Sequence, residues 1–128
     1  MTTNTTAKTI AWICTDPDTY QYARRLSETE FEFVQMENRR DQYCAFTGIV
    51  DIMDYFGNKE AQEELRIALG MFGYDNWTEL EAMYGEDTFQ IAAECIFEAF
   101  FCAISDHTSD TAEDCRQWLD DYMAENQF

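Results

Sequence analysis

Near the start of the chain a short apolar run is followed by a stretch in which polar and apolar residues alternate, and the pattern then settles into a helical rhythm. Thr9-Ile10-Ala11-Trp12-Ile13-Cys14 is rich in β-branched and aromatic residues and stops at Thr15-Asp16-Pro17, which predicts a strand followed by a helix start. Asp16 suits the N-cap and Pro17 the first helical position, where its missing N–H costs nothing. That helix is predicted to run to about Leu26. Glu30–Met36 (EFEFVQM) opens with alternating acid and phenylalanine, the period-two signature of a half-buried strand. A parallel strand–helix–strand unit and an irregular hairpin-like pairing both fit the two strands at 9–14 and 30–36.

From about Asp41 the pattern is helical to the end. A first helix is predicted over roughly 41–56, with Phe46, Ile49, Val50, Met53 and Phe56 on one side and Gly57 as its stop. Asn58 can cap the next, roughly 59–72, whose apolar side is Leu65, Ile67, Ala68, Leu69 and Phe72, with Gly73 closing it. Asn76 and Glu79 have capping-box spacing ahead of a short helix that ends at Tyr84 and Gly85. Asp87 and Gln90 repeat that arrangement before the longest helix, about 88–105. Phe89, Ile91, Cys95, Ile96, Phe97, Phe100, Phe101 and Ile104 make this helix apolar almost all round, as expected at the centre of a domain. Only its Asp87–Glu94–Glu98 edge reads as solvated. Thr108 or Ser109 opens the last helix, about 110–125. The expected fold class is therefore α+β and predominantly helical: a short N-terminal two-stranded element, then a bundle of about five helices around the 88–105 helix.

A chain of 128 residues with 16% aromatic content has room and material for one core. The polar MTTNTTA stretch, residues 1–7, is expected to be a disordered tail, and 8–128 a single globular domain. The N-terminus lacks a charged region followed by an apolar one, and Glu94 and Glu98 interrupt the longest apolar run, so no membrane association and a cytoplasmic location are expected. The cysteines (Cys14, Cys44, Cys95, Cys102, Cys115) are odd in number and form no C-x-x-C pair, and in a reducing compartment they serve as small buried hydrophobes.

Charge changes the picture most. The formal net charge is −18. Residues 1–40 carry six acids against Lys8, Arg24, Arg25, Arg39 and Arg40, whereas 41–128 carry twenty acids against Lys59, Arg66 and Arg116. Direct nucleic-acid binding by that second part would set like charge against like charge. Known catalytic constellations are missing. His107 is the only histidine, in a predicted helix junction beside Asp106 with no designated nucleophile. Glu94 and Glu98 have the i,i+4 separation of helix-bundle metal sites, but a di-iron site needs Glu-x-x-His on two helices. No EF-hand loop, P-loop, Gly-x-Gly-x-x-Gly or Gly-x-Ser-x-Gly is present. No enzyme, cofactor or metal is expected.

The acidic pattern itself carries more. Asp110, Asp114, Asp121 and Glu125 fall on one face of the last predicted helix, with Glu113 and Asp120 seven apart beside them. Like charges at i,i+4 destabilise a helix, and acids are disfavoured at its C-terminal end. A surface shaped for stability would alternate signs. Neighbours on a helix face lie about 5–6 Å apart at Cβ, comparable to successive phosphates on one strand. The candidate partner-binding set is therefore Asp110, Glu113, Asp114, Asp120, Asp121 and Glu125, with Asp87, Glu94 and Glu98 added from the 88–105 helix. The matching partner is a basic nucleic-acid-binding protein. Arg24-Arg25 and Arg39-Arg40 can pair with the protein's own acidic helices, within a monomer or across a homodimer, or contact a phosphate or an acidic partner.

In size, acidity, lack of catalytic motifs and carboxylate rows such as Asp110/Asp114/Asp121/Glu125, the chain resembles the small acidic anti-defence proteins of phages and mobile elements, the antirestriction DNA mimics and anti-CRISPR proteins. The resemblance is one of general character and carries over no residue. It implies an inhibitor occupying the DNA- or guide-RNA-binding groove of a restriction enzyme or CRISPR effector. The alternative is a protein–protein adaptor or homo-oligomeric module docking through aromatic residues such as Trp77, Tyr84, Trp118 or Tyr122, acidic only for solubility.

Overall fold

A computed structural model describes residues 8–14, 19–101 and 104–128. Its frame is a sheet rather than a helical bundle. Strands β1 (Lys8–Cys14), β2 (Tyr20–Arg25), β3 (Glu30–Arg39), β4 (Gln42–Asp51) and β5 (His107–Ser109) lie in that spatial order, and every neighbouring pair is antiparallel. Four helices pack on it: α1 (Lys59–Met71), α2 (Trp77–Tyr84), α3 (Thr88–Ile96, extended by a π-turn over Phe97–Phe101) and α4 (Ala112–Glu125).

The expected two-stranded element followed by five helices is thus overturned at two segments. Residues 20–25, predicted as helix, form β2 between β1 and β3, which removes the parallel strand–helix–strand option. Tyr20-Gln-Tyr-Ala-Arg-Arg25 alternates tyrosines with Gln21 and Ala23, a pattern that suits a pleated strand packed on both faces. The predicted helix start at Asp16-Pro17 lies outside the described residues.

The second overturned segment is 41–56, predicted as helix. It is β4 followed by a 3₁₀ turn over Ile52–Phe56. Arg39 pairs with Gln42 across a two-residue turn, and its central residues Arg40 and Asp41 both have positive φ, 48° and 69°. That matches the primed hairpin turn whose twist suits paired strands. Arg-Asp is not the Asn-Gly or Asp-Gly signal of such a turn, so the hairpin leaves no mark in the sequence. The four-residue spacing of Phe46 and Val50 satisfies a period of 2 as well as 3.6. Ile49 separates the two readings: it sits on the opposite face of β4 and is 53% exposed.

The helices follow their local signals more closely. Asn58 caps α1 by accepting from the Ala61 N–H at 2.8 Å, and Asn76 caps α2 from the Glu79 N–H at 2.8 Å. The Glu79 carboxylate reaches back to the Asp75 N–H at 2.9 Å. Gly73 and Gly85 follow α1 and α2 with φ of 88° and 53°, a backbone that glycine adopts without a Cβ penalty. Asp87 makes no side-chain cap, because Gly85–Asp87 form a 3₁₀ turn that leads into α3. At the other end, regular α-helix stops at Ile96, and the 88–105 helix becomes a π-turn after it. Residues 107–109 are strand, and Thr111, not Thr108 or Ser109, caps the last helix.

Alternation along β3 divides the interior in two. Phe31 and Phe33 face one core with Phe46, Val50, Leu69, Leu80, Ile96 and Phe97. Val34 and Met36 face a second with Ala45, Cys115 and Leu119. The sheet is therefore sandwiched, with α1–α3 on one face and α4 on the other. The 88–105 segment is not a hub ringed by helices: its buried residues Ile96 and Phe97 rest on the sheet, whereas Ile104 is 61% exposed. Cys44, Cys95 and Cys115 are free and buried, while Cys102 and the side chain of Cys14 lie outside the described residues. No helix among the described residues is long and apolar enough to cross a membrane.

Candidate functional site: the acidic face of α4 and the cleft beside α3

Packing dictates which side of α4 meets solvent. Cys115 and Leu119 are fully buried against the sheet, and Ala112, Trp118, Tyr122 and Met123 flank them, at the three- and four-residue spacings of one helix face. The positions between them point away. Glu113, Asp114, Asp120, Asp121 and Glu125 are all exposed, as is Asp110 just before the helix.

These acids keep their charge uncompensated. Ion pairs among the described residues are Arg24–Glu32, Arg39–Glu37 and Arg66–Glu63, and none involves an α4 carboxylate. Neutral groups are their partners: Tyr20 Oη donates to Asp120 at 2.7 Å, and Gln117 Nε2 to Asp121 at 3.0 Å. Burial, and then the bond to Asp120, push the Tyr20 hydroxyl well above its ordinary pKa, so Tyr20 stays a neutral donor. Arg116 is the one cation of α4 and lies over the Tyr20 ring, 5.9 Å from its centroid.

The arginines have other work. Arg24 Nε and Nη2 donate to Glu32 Oε1 at 3.0 and 2.8 Å, and Tyr122 Oη donates to Glu32 Oε2 at 2.9 Å. The same guanidinium donates to the carbonyls of Asn126 and Gln127 at 2.8 and 2.6 Å and lies over the Phe128 ring at 4.2 Å. A cation is thereby placed at the C-terminal end of α4, where it offsets the dipole that opposes Asp120, Asp121 and Glu125. Arg25 donates to the carbonyls of Ser27 and Glu28 in the β2–β3 turn. Arg39 pairs within its own strand.

The remaining predicted residues do not join the α4 face. Asp87, Glu94 and Glu98 belong to the layer on the other side of the sheet. Asp87 is exposed, but Glu94 and Glu98 are only partly exposed and line a cleft of ≈ 270 Å³ with Phe72, Tyr74, Tyr84, Ile91 and Cys95. The solvated edge expected there is a recessed acidic pair. Burial pushes the Glu94 carboxyl up to about 7, against a lowering bond from Gln90, with the nearby Glu98 charge adding to the rise. Glu98 accepts from Gln21 and Gln35, each at 3.3 Å. Burial, then Glu94 and Glu98, push the Cys95 thiol up to about 12, which makes it a poor nucleophile. Among the described residues no group of His, Cys, Asp and Glu side chains is arranged to hold a metal ion.

His107 stacks on Trp118, with ring centroids 5.2 Å apart and planes 3° from parallel. The other candidate docking aromatics are engaged within the molecule: Trp77 with Phe56 and Phe89, Tyr84 with Tyr74, and Tyr122 with Trp118.

Two features escaped the sequence. Glu32 is 3% exposed, although strict alternation with Phe31 and Phe33 placed it on a wet face. The second layer supplied by α4 is invisible to a period-two reading. The cleft also escaped, since Glu94 and Glu98 look solvated until Phe72 and Tyr74, which follow α1, and Tyr84 of α2 are set beside them.

No family model matches the chain, and neither a curated protein nor a solved structure is significantly similar to it.

Proposed function

We propose that the protein is a non-catalytic acidic inhibitor that imitates nucleic acid and occupies the basic nucleic-acid-binding groove of a host defence protein, a CRISPR effector or restriction enzyme. One observation carries the reading: Asp110, Glu113, Asp114, Asp120, Asp121 and Glu125 form an exposed row, and no arginine or lysine among the described residues is paired to any of them. The row is held on a helix fixed to the sheet by Cys115, Leu119 and the Arg24 contacts. Rigid, unpaired carboxylates lose little on meeting a basic groove and speed the encounter with it. A net charge of −18 far exceeds the magnitude of about 2–8 that keeps a small domain soluble. The aromatic adaptor reading loses support, because Trp77, Tyr84 and Tyr122 are spent on internal stacking.

The test is capture of partners from a bacterial lysate on immobilised protein, eluted with a salt gradient. The reading expects nucleic-acid enzymes that DNA displaces and that leave steeply between low and moderate salt. Partners that hold through high salt and ignore DNA would replace it with a hydrophobic interface. Recovery of no nucleic-acid protein from lysates rich in defence systems would count against it.

A further inference from the structure

We propose that the flank of α4 facing β4 and β5 docks an extended basic segment of the partner protein, its apolar side chains resting on Ile49 and Ile104 and its cations on Asp114, Asp121 and Glu125. This docking site rests on the mimicry reading and adds an apolar contact beside the acidic row.

The orientation of α4 brings the three acids to one side of the helix. Trp118 stacks on His107 of β5, and Tyr122 donates to Glu32, the residue directly paired with Ile49. Asp120 lies on the opposite flank, bonded to Tyr20 of β2. Asp114, Asp121 and Glu125 stand three or four residues from Trp118 or Tyr122 and so share their flank. No lysine or arginine among the described residues pairs with them.

Beyond β5 the sheet carries an apolar spot next to this flank. Ala45 of β4 packs under α4, so Thr47 and Ile49, two and four residues on, point to the same face. Ile49 is 53% exposed. Asp106 ties the chain before β5 to β4: its N–H donates to the Ala45 carbonyl and its carboxylate accepts from the Thr47 N–H, both at 2.8 Å. Phe101 lies against Gly48, and the Ile104 N–H donates to the Phe101 carbonyl at 3.0 Å. Ile104 is therefore held at the edge of β4 between those two anchors, 61% exposed. The Ala45 and Thr47 bonds also place the main-chain groups of odd-numbered residues on the outer edge of β4, and Ile49 is the next of these, past the reach of β5. Among the described residues no strand covers it, and such an edge suits an extended chain. Charge selects the composition of that chain. Acids flank the spot, so a basic segment is attracted and a second copy of this −18 chain is repelled. Single exposed aliphatics are ordinary, but two held at one edge beside an uncompensated acidic row have the make-up of an apolar interface core with a polar rim.

The experiment follows the isoleucine and methionine methyl and side-chain carboxyl resonances of the full chain by NMR at 150 and 400 mM salt. Probes are two capped eight-residue peptides with arginine at alternate positions, one with valine between them and the other with serine. Saturable shifts at Ile49 and Ile104 are expected with the valine peptide alone. It should bind about tenfold tighter at both salt concentrations, on the scale of burying one or two aliphatic side chains. The two peptides should weaken equally with salt, since their charge is the same. Ile49→Ser together with Ile104→Ser, both at exposed positions, should erase the gain of the valine peptide with the melting temperature unchanged. Equal binding of the two peptides, or equal shifts at Ile67 and Met71 of α1, would overturn the docking site and leave the mimicry reading standing. If neither peptide perturbs the α4 carboxylates, the acidic row fails as a contact face and the docking site fails with it. Shifts of Ile49 and Ile104 that grow with protein concentration in the absence of peptide would assign the edge to a second copy and overturn the basic occupant.

Discussion

Arg24 and Glu32 face each other across β2 and β3 as directly paired residues, and their ion pair is closed at both ends by α4. Tyr122 donates to the other oxygen of Glu32, and the carbonyls of Asn126 and Gln127, just past α4, accept from Arg24. The side chains are 12% and 4% exposed, so this is a buried network that ties the acidic helix to the sheet. Removing one partner strands a charge, which costs on the order of 3–5 kcal/mol. Arg24→Ala is therefore expected to lower unfolding free energy by about that much, read from urea denaturation. A loss of about 1 kcal/mol or less would mean that water replaces the guanidinium freely.

Charge reversal on the outer face of α4 should act on binding alone. Asp114, Asp121 and Glu125 are exposed and pair with no cation among the described residues, and exposed substitutions usually fall within about 0.5 kcal/mol in either direction. The triple change to lysine is expected to keep the melting temperature within a few degrees while abolishing capture of the partner. Undiminished affinity would remove α4 as the contact face.

The titration of Glu94 gives stability a pH signature. Its folded pKa, about 7, lies above the ordinary carboxyl value because burial penalises the charge. The folded state holds the proton more tightly than the unfolded one, so this group's contribution is complete below about pH 4 and is lost as pH rises through 7. Glu94→Gln removes the charge and is expected to stabilise the protein at pH 8 by on the order of 3 kcal/mol, since the rise from 4.5 to about 7 is worth about 1.4 per pKa unit. Thermal melts of the two proteins should converge near pH 4 and separate toward pH 8. Parallel curves across that range would disprove the burial effect.

Core substitutions should separate Phe97 from its neighbours. Phe97 is fully buried, with its ring 5.1 Å from that of Phe33 and 5.3 Å from that of Phe101, whereas Phe100 is only half-buried. Phe97→Ala is expected to cost about 3–5 kcal/mol, and Phe100→Ala distinctly less. Denaturant midpoints compare them directly, and a larger loss at Phe100 would reverse the assignment.

Gly48 lets the Phe101 ring lie on β4. A Cβ there would meet Phe101 Cε1 at 2.9 Å, so Gly48→Ala is expected to cost about 1–3 kcal/mol as an overpacked contact. Phe101→Leu in the same chain should recover part of the loss. If Gly48→Ala melts like the parent protein, the ring moves aside without penalty.

Local chemistry determined much of this protein before any tertiary contact. Asn58, Asn76, Gly73 and Gly85 bound α1 and α2 because caps and left-handed stops act within a few residues. The alternation of Glu30 through Met36 produces β3, and the acids between Cys115, Leu119 and Tyr122 mark the outer face of α4. Only the tertiary structure decided the rest. Segment 42–51 became a strand because β3 and β5 supply its hydrogen bonds on both edges, although its apolar spacing fits a helix equally well. Glu32 became buried because α4 covers the second face of the sheet, and Glu94 and Glu98 became a recessed pair because Phe72, Tyr74 and Tyr84 close over them. Periodicity reports which side of an element is apolar, but what stands opposite that side is settled by residues a hundred or more positions away, as between Tyr20 and Asp120.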